Sequence, residues 1–337
     1  MTRSARGFPA SRRWAVGLAF LLLYLAWGTT YYAIRVGVHE HRLPPALFSG
    51  LRVFLAGVLV LGFVRARGES IRLRGDELIT AAIGALLLFV IGNGLIAVAL
   101  DDLPSGVAAV IVATTPLWTA LLEALVPGSD RLAIPGWLGL LLGLGGVFVL
   151  VSGRMRDQGL AFADVRGITL GLGSAFSWAL GSLLLRYRPR PASHLASAAY
   201  QMVLGGGGLV AVGVVFGESS RLPEQIAAQA IGAFAWLLVV GSLVGFIAFN
   251  WLLGEVAAAK VGTYAYVNPC VAILVAWVMS DGILSIEVLG GMAIILTGVA
   301  LVRQAGHRAT VQVSEQAAVK SSEVISDIEA AGDLAHP

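Results

Sequence analysis

The sequence predicts an all-α membrane protein, ten transmembrane helices arranged as two five-helix repeats of inverted topology. Three observations lead there. Of 337 residues, 57% are hydrophobic and only 13% charged, with a mean hydropathy of +0.83; an ordinary soluble domain is about a quarter charged, so these charges are too few and too clustered to cover a water-facing surface. Charge-free runs recur at about 20 residues, the length that crosses a bilayer at a rise of about 1.5 Å per residue. A shift of about 150 residues brings like features into register, which marks an internal repeat. Runs such as Leu86-Leu87-Leu88-Phe89-Val90-Ile91 do not alternate, which excludes the strands of a membrane barrel.

Along the chain, residues 1–13 form a basic segment expected on the cytoplasmic side. The first span, Trp14–Ile34, is too long for a signal-peptide core and lacks a small-residue cleavage site, so it reads as a helix. Pro45–Val64, interrupted only by Arg52, then Leu78–Leu100, Leu103–Leu122 and Leu132–Gly153 complete a first repeat over 14–153. An external linker, 154–166, leads to the second repeat, 167–303, with spans Gly167–Leu185, Pro191–Gly217, Gln225–Gly254, Val261–Ser280 and about Ile286–Val302. Past Arg303 serines and acids replace the apolar residues, as in Ser321-Ser322-Glu323. Residues 304–337 are therefore expected to be a disordered cytoplasmic tail, unable to bury enough apolar surface to fold.

Basic residues stay on the cytoplasmic side, and with the N-terminus inside, fifteen Lys and Arg, leaving aside Lys320 far along the tail, fall in cytoplasmic segments against five outside. Both termini are then cytoplasmic, and the net charge of +3 is a sidedness signal, with no nucleic-acid partner implied. Five helices per repeat force the second repeat to enter the membrane from the opposite face, an arrangement that gives a carrier two related gates around one midplane site. In register are Trp27 and Arg35 with Trp178 and Arg186, Arg52 near Gln201, Pro116 with Pro269, and Gly139 and Gly146 with Gly291 and Gly298.

Ionisable groups at bilayer depth are costly and should face a cavity or a partner. Arg52 lies about seven residues into its span. It reads either as a cavity-lining guanidinium for a solute carboxylate, a phosphate or an acidic gate residue, or as a side chain snorkelling to the interface. Arg35, at the end of the first span, has a short reach to water. Glu123, near the cytoplasmic end of the fourth, is a candidate for proton coupling or for a structural ion pair. Asn93, Gln201, Asn250 and Asn268 serve as helix-to-helix glue or as solute contacts. Trp27 and Tyr31 share one helix face with Arg35 a turn further, and Tyr264 precedes Asn268. Pro116 and Pro269, each within a span, are candidate hinges.

Motifs for chemistry are missing. Gly92-Asn93-Gly94-Leu95-Ile96-Ala97 fits a dinucleotide fingerprint, but lies inside a membrane run with no preceding soluble strand. The five histidines fall at or beyond span ends, and Cys270 is the one cysteine. No metal site, cofactor or disulfide framework is expected.

Trp27-Gly28-Thr29-Thr30 with Ala33-Ile34-Arg35, Pro44-Pro45, Leu51-Arg52 and the proline-bearing fourth span with Glu123 resemble the first repeat of the EamA-type branch of the drug/metabolite transporter superfamily. Ser177-Trp178-Ala179-Leu180-Gly181-Ser182 and Asn268-Pro269 are similar to its second repeat, so the resemblance covers about 14–303. It implies an inner-membrane carrier of two five-helix inverted repeats that exports small metabolites such as amino acids, driven by a gradient. Gln201 stands where the first repeat has Arg52, so an anion-binding charge is one-sided, which argues against a polyanionic solute. The expectation is an alternating-access exporter in which Trp27, Tyr31, Trp178 and Tyr264 enclose the solute, while Arg52, Asn93, Gln201, Asn250 and Asn268 hold its polar ends. Its partners are a small solute, membrane lipid and a candidate proton gradient. A passive facilitator or channel, and an intramembrane enzyme, are the alternatives.

Overall fold

In the computed structural model of the chain, residues 10–125, 134–158, 162–186, 188, 193–255, 264–282 and 284–301 are described; they contain helices and no strand. Ten helical stretches follow the ten apolar runs. They are α1 (Ala10–Arg35, continued by a π turn Val36–Glu40), α2 (Pro45–Ala66), α3 (Gly75–Asp102), α4 (Ser105–Ala124), α5 (Ile134–Gln158), α6 (Phe162–Arg186), α7 (His194–Val215), α8 (228–255), α9 (Tyr264–Val278) and α10 (Ile286–Leu301). Among the described residues seven stretches are long and apolar enough to cross a membrane, and those of α5, α9 and α10 are shorter apolar helices.

Two features modify this plain helical picture. In α4 the helix stops at Val112 and resumes at Thr115, so Pro116 stands in the first turn of a new helical piece and not inside an unbroken helix. Proline has no N–H for the carbonyl four residues back and its ring collides with it. That carbonyl belongs to Val112, and the Thr115 hydroxyl donates to it at 2.6 Å, while Thr114 does the same for Ile111 at 2.7 Å. Pro269 lies inside α9. The second feature is a π-helical segment within each of two helices, Ala85–Asn93 in α3 and Leu237–Val244 in α8. The two are separated by the same interval of about 150 residues that relates the repeats.

Packing follows an exchange pattern. Helix α1 lies on α8 and α9, α6 lies on α3 and α4, and α2 lies on α7. The α2–α7 approach is backbone to backbone: a Cβ at Gly206 would sit 2.3 Å from the Phe54 nitrogen and 2.8 Å from the Gly50 carbonyl. The glycines that match between the repeats meet in reciprocal pairs. A Cβ on Gly146 would lie 2.8 Å from the Gly291 carbonyl, and one on Gly298 would lie 2.5 Å from that of Gly139. Small residues let helices come this close where lipid offers no competing hydrophobic drive.

The C-terminal ends of α1, α3 and α9 gather with the N-terminal ends of α2, α4 and α6 at one end of the bundle, tied by ion pairs. Arg35 pairs with Asp281, Arg166 with Asp102 at 2.6 Å, and Arg42 with Asp101 at 3.4 Å. The Glu218 carboxylate accepts from the Ala46 and Leu47 amides at the first turn of α2, at 3.3 and 2.9 Å. An anion there satisfies amides that have no partner within the helix. Glu218 follows Gly217, whose φ of 73° ends α7 in a left-handed turn that favours glycine. The opposite end holds Arg12 with Glu255 at 2.6 Å, and the Ser193 hydroxyl donating to Glu69 at 2.8 Å.

Candidate functional site

The π segments draw side chains from across the bundle. A turn with i→i+5 spacing leaves carbonyls poorly placed within their own helix, and such segments recur at functional sites. On the α3 segment, Ser177 and Ser174 of α6 donate to the carbonyls of Leu87 and Gly92 at 2.7 and 2.8 Å. On the α8 segment, the Trp27 indole of α1 donates to Gly241 at 3.1 Å. Tryptophan faces glycine in both halves. A Cβ on Gly245 would fall 2.6 Å from Trp27 Nε1, and one on Gly92 would fall 3.4 Å from the Trp178 ring.

Arg52 bridges these segments. It hangs from α2, its residue is 6% exposed, and its two terminal nitrogens reach different halves of the chain. Nη1 donates to the Ser242 hydroxyl of α8 and Nη2 to the side-chain Oδ1 of Asn93 on α3, each at 3.2 Å. The Nε hydrogen has no acceptor among the described residues. Asn93 and Arg52, each a candidate solute contact in the sequence, are thus brought into contact with one another. Ser242 is an added member that hydropathy reading passes over, because a lone serine leaves a run such as Leu238–Val244 apolar.

Aromatic residues form a second group where α1, α8 and α9 meet. The Trp27 ring contacts Tyr264 edge-on at 4.8 Å and Phe249 at 5.2 Å, and Phe249 contacts Tyr264 at 6.0 Å. Tyr31, one turn along α1, is half-buried against the main apolar core. Trp178 lies apart from this group, edge-on to Phe89 at 6.2 Å, packed with Val53 and Met202. Asn268 is buried on α9 with its side-chain carbonyl oxygen unpartnered among the described residues.

Other predicted site residues are placed elsewhere. Gln201 is buried and, among the described residues, donates to Ser197, four residues back on its own helix, at 3.4 Å. It lies against Gly84, where a Cβ would sit 2.5 Å from its Oε1, so it fills the α3–α7 contact. Glu123 is half-buried in the last turn of α4. The side chain of Asn250 lies outside the described residues. Arg35 is held at the ion-paired end: beyond Asp281, it donates to the carbonyls of Leu100 and Leu103 at 3.0 and 2.6 Å, and Asp281 accepts the Ser105 amide at 2.9 Å. Four helices or their ends are tied by that one pair. Asp281 escapes a reading that counts only Lys and Arg to assign sides. Among the described residues no group of three or more His, Cys, Asp and Glu could hold a metal ion.

Comparison with known proteins matches this architecture. The chain is 36% identical over 259 residues to an uncharacterized inner membrane transporter, YedA, of Escherichia coli K12, covering 76% of this chain and 80% of that one. It is 28% identical over 309 residues, 91% of this chain and 97% of the relative, to the uncharacterized transporter YvbV of Bacillus subtilis. A probable amino-acid metabolite efflux pump of Salmonella typhimurium is 26% identical over 293 residues, 84% of this chain and 92% of that one. A solved structure titled only "Crystal structure of protein" shares the fold, with a TM-score of 0.59 at 22% identity over 87% of this chain and 98% of that one. The EamA-like transporter family model matches residues 14–152 and 165–304. The chain is therefore a membrane transporter that belongs to the EamA-like transporter family.

Proposed function

We propose that the protein is a secondary exporter of small metabolites, amino acids or related compounds, working by alternating access across the inner membrane. Ten spans in two inverted five-helix repeats, 14–153 and 167–303, carry it, with both termini cytoplasmic. The observation that carries this reading is the exchange pattern of packing, in which α1 on α8 answers α6 on α3 and each contact sets a tryptophan against a glycine beside a π segment. Two such halves have equivalent alternative arrangements, one open to each side, which is what a carrier needs. The efflux-pump name of the Salmonella relative supports the direction and the solute class.

The solute site lies between the π segments. Arg52 and Asn93 take its polar end, with Asn250 and Asn268 as further contacts, while Trp27, Tyr31, Tyr264 and Trp178 supply aromatic walls. Arg35 with Asp281 forms the external gate, and the break at Pro116 and the proline inside α9, Pro269, are its hinges. Glu123, in the last turn of α4, is the candidate for proton coupling. Gln201, turned into a helix contact, keeps a packing role.

Counterflow in proteoliposomes tests this. With unlabelled solute inside, a carrier takes up labelled solute transiently above its equilibrium level. Flux that never saturates, with no counterflow, identifies a passive channel. If Arg52→Ala and Asn250→Ala transport at the parent rate, the site assignment is wrong.

A further inference from the structure

We infer that Arg52 binds one anionic group of the transported solute, a carboxylate, and that this contact excludes solutes lacking one; the inference rests on the exporter reading above. The observation is a charge without a counter-charge. Arg52 is 6% exposed, and both of its partners, the Ser242 hydroxyl and the Asn93 amide, are neutral. No Asp or Glu among the described residues lies within ion-pairing distance of it. A guanidinium carries five N–H donors; two are used here and Nε has no acceptor.

The same chain shows how it treats a structural arginine. Arg35, with a side chain 12% exposed, is given a carboxylate and two backbone carbonyls. Desolvating a cation without an anion is costly, and ionisable groups kept at membrane depth in that condition mark solute pathways. The planar fork of the guanidinium matches two carboxylate oxygens. Because Gln201, uncharged, stands in the matching stretch of the second repeat and is turned into the α3–α7 contact, the site neutralises one negative charge and not several. The anion would arrive where α3 of one half and α8 of the other are already joined through Arg52. It would compete with Asn93 and Ser242 for the guanidinium and loosen that clasp.

The test begins with the compounds that cells making the protein release into the medium. Each is offered to proteoliposomes holding the full chain, as the free acid and as its carboxamide, which keeps size and removes charge. The parent protein should prefer acid over amide by at least about tenfold in competition. Arg52→Gln should bring that ratio close to one, and Arg52→Lys, which keeps the charge but not the fork, should retain part of it. The ratio is internal to each sample, so a variant that folds in low yield still reports. Released compounds without an acidic group overturn the inference while leaving export intact, as does an acid preference that survives Arg52→Gln. Flux that requires chloride and ignores the solute's carboxylate assigns the counter-charge to an inorganic anion and overturns it too. If no compound is released, the exporter reading itself fails.

Discussion

The Arg35–Asp281 pair ties helix ends together at one end of the bundle, and the gate proposed for it predicts that breaking it opens that end. Both side chains are largely withdrawn from water, 12% and 6% exposed. Removing one partner of such a pair leaves a buried charge uncompensated, at a cost of about 3–5 kcal/mol. Proximity to the bundle end favours the lower figure, and about 3 kcal/mol corresponds to roughly a hundredfold in a two-state ratio. The two single variants should differ. Among the described residues Arg35→Gln leaves Asp281 with the Ser105 amide alone, whereas Asp281→Asn leaves Arg35 with the carbonyls of Leu100 and Leu103. The first should therefore open the end more than the second, and the double variant less than Arg35→Gln, since no charge is then stranded. A cysteine at Ala276 reports on this. That residue is 4% exposed, and a Cβ on Gly106 of α4 would lie 3.4 Å from it. In a Cys270→Ser background, maleimide labelling of Ala276→Cys should accelerate about tenfold or more with Arg35→Gln, and by less with Asp281→Asn. Equal rates in parent and variants would refute the gate.

Three further outcomes are expected. Ser242→Ala removes one of the two acceptors of a buried guanidinium and should lower unfolding stability by about 1–3 kcal/mol, read as a fall in melting temperature of the purified protein; an unchanged melt means that the bond is not formed in solution. Gly206→Ala forces a Cβ to 2.3 Å from the Phe54 nitrogen, a backbone atom that cannot swing aside, and should cost at least about 1–3 kcal/mol. Parent-like stability would show that α2 and α7 are further apart. Trp27→Phe keeps the ring cluster but strands the Gly241 carbonyl, at about 1 kcal/mol, and Ser177→Ala should do the same to Leu87 in the other half. Unequal melting losses would count against the equivalence of the two π segments.

Much of the fold is legible in the sequence because lipid imposes a simple requirement, a charge-free run of sufficient length, and each of the ten runs contains a helix. Arg52 stands out for the same reason, as a lone charge inside one of them. What is not legible depends on hydrogen-bond register. Hydropathy is blind to whether Ala85–Asn93 closes its bonds at i→i+4 or i→i+5, so the two π segments are invisible until carbonyls and their donors are seen together. Pro116 signals a disturbance, but only the Thr114 and Thr115 hydroxyls on the freed carbonyls explain a full break. Gln201 shows the limit of reading one repeat from the other. It stands near the position that matches Arg52, yet its side chain is used within its own helix and against Gly84. Repeats share a backbone path and need not share side-chain partners. Asp281 and Ser242 were hidden in different ways, one because acids carry little weight in assigning sides, the other because a single hydroxyl barely changes an apolar run.

Export of a small metabolite is tested most directly by comparing, with untargeted mass spectrometry, the medium and the interior of cells that make the protein and of cells that lack it. Export predicts that a small set of amino-acid-sized compounds accumulates in the medium and falls inside the cells that make the protein. Identical media, or compounds that accumulate inside those cells, would contradict it.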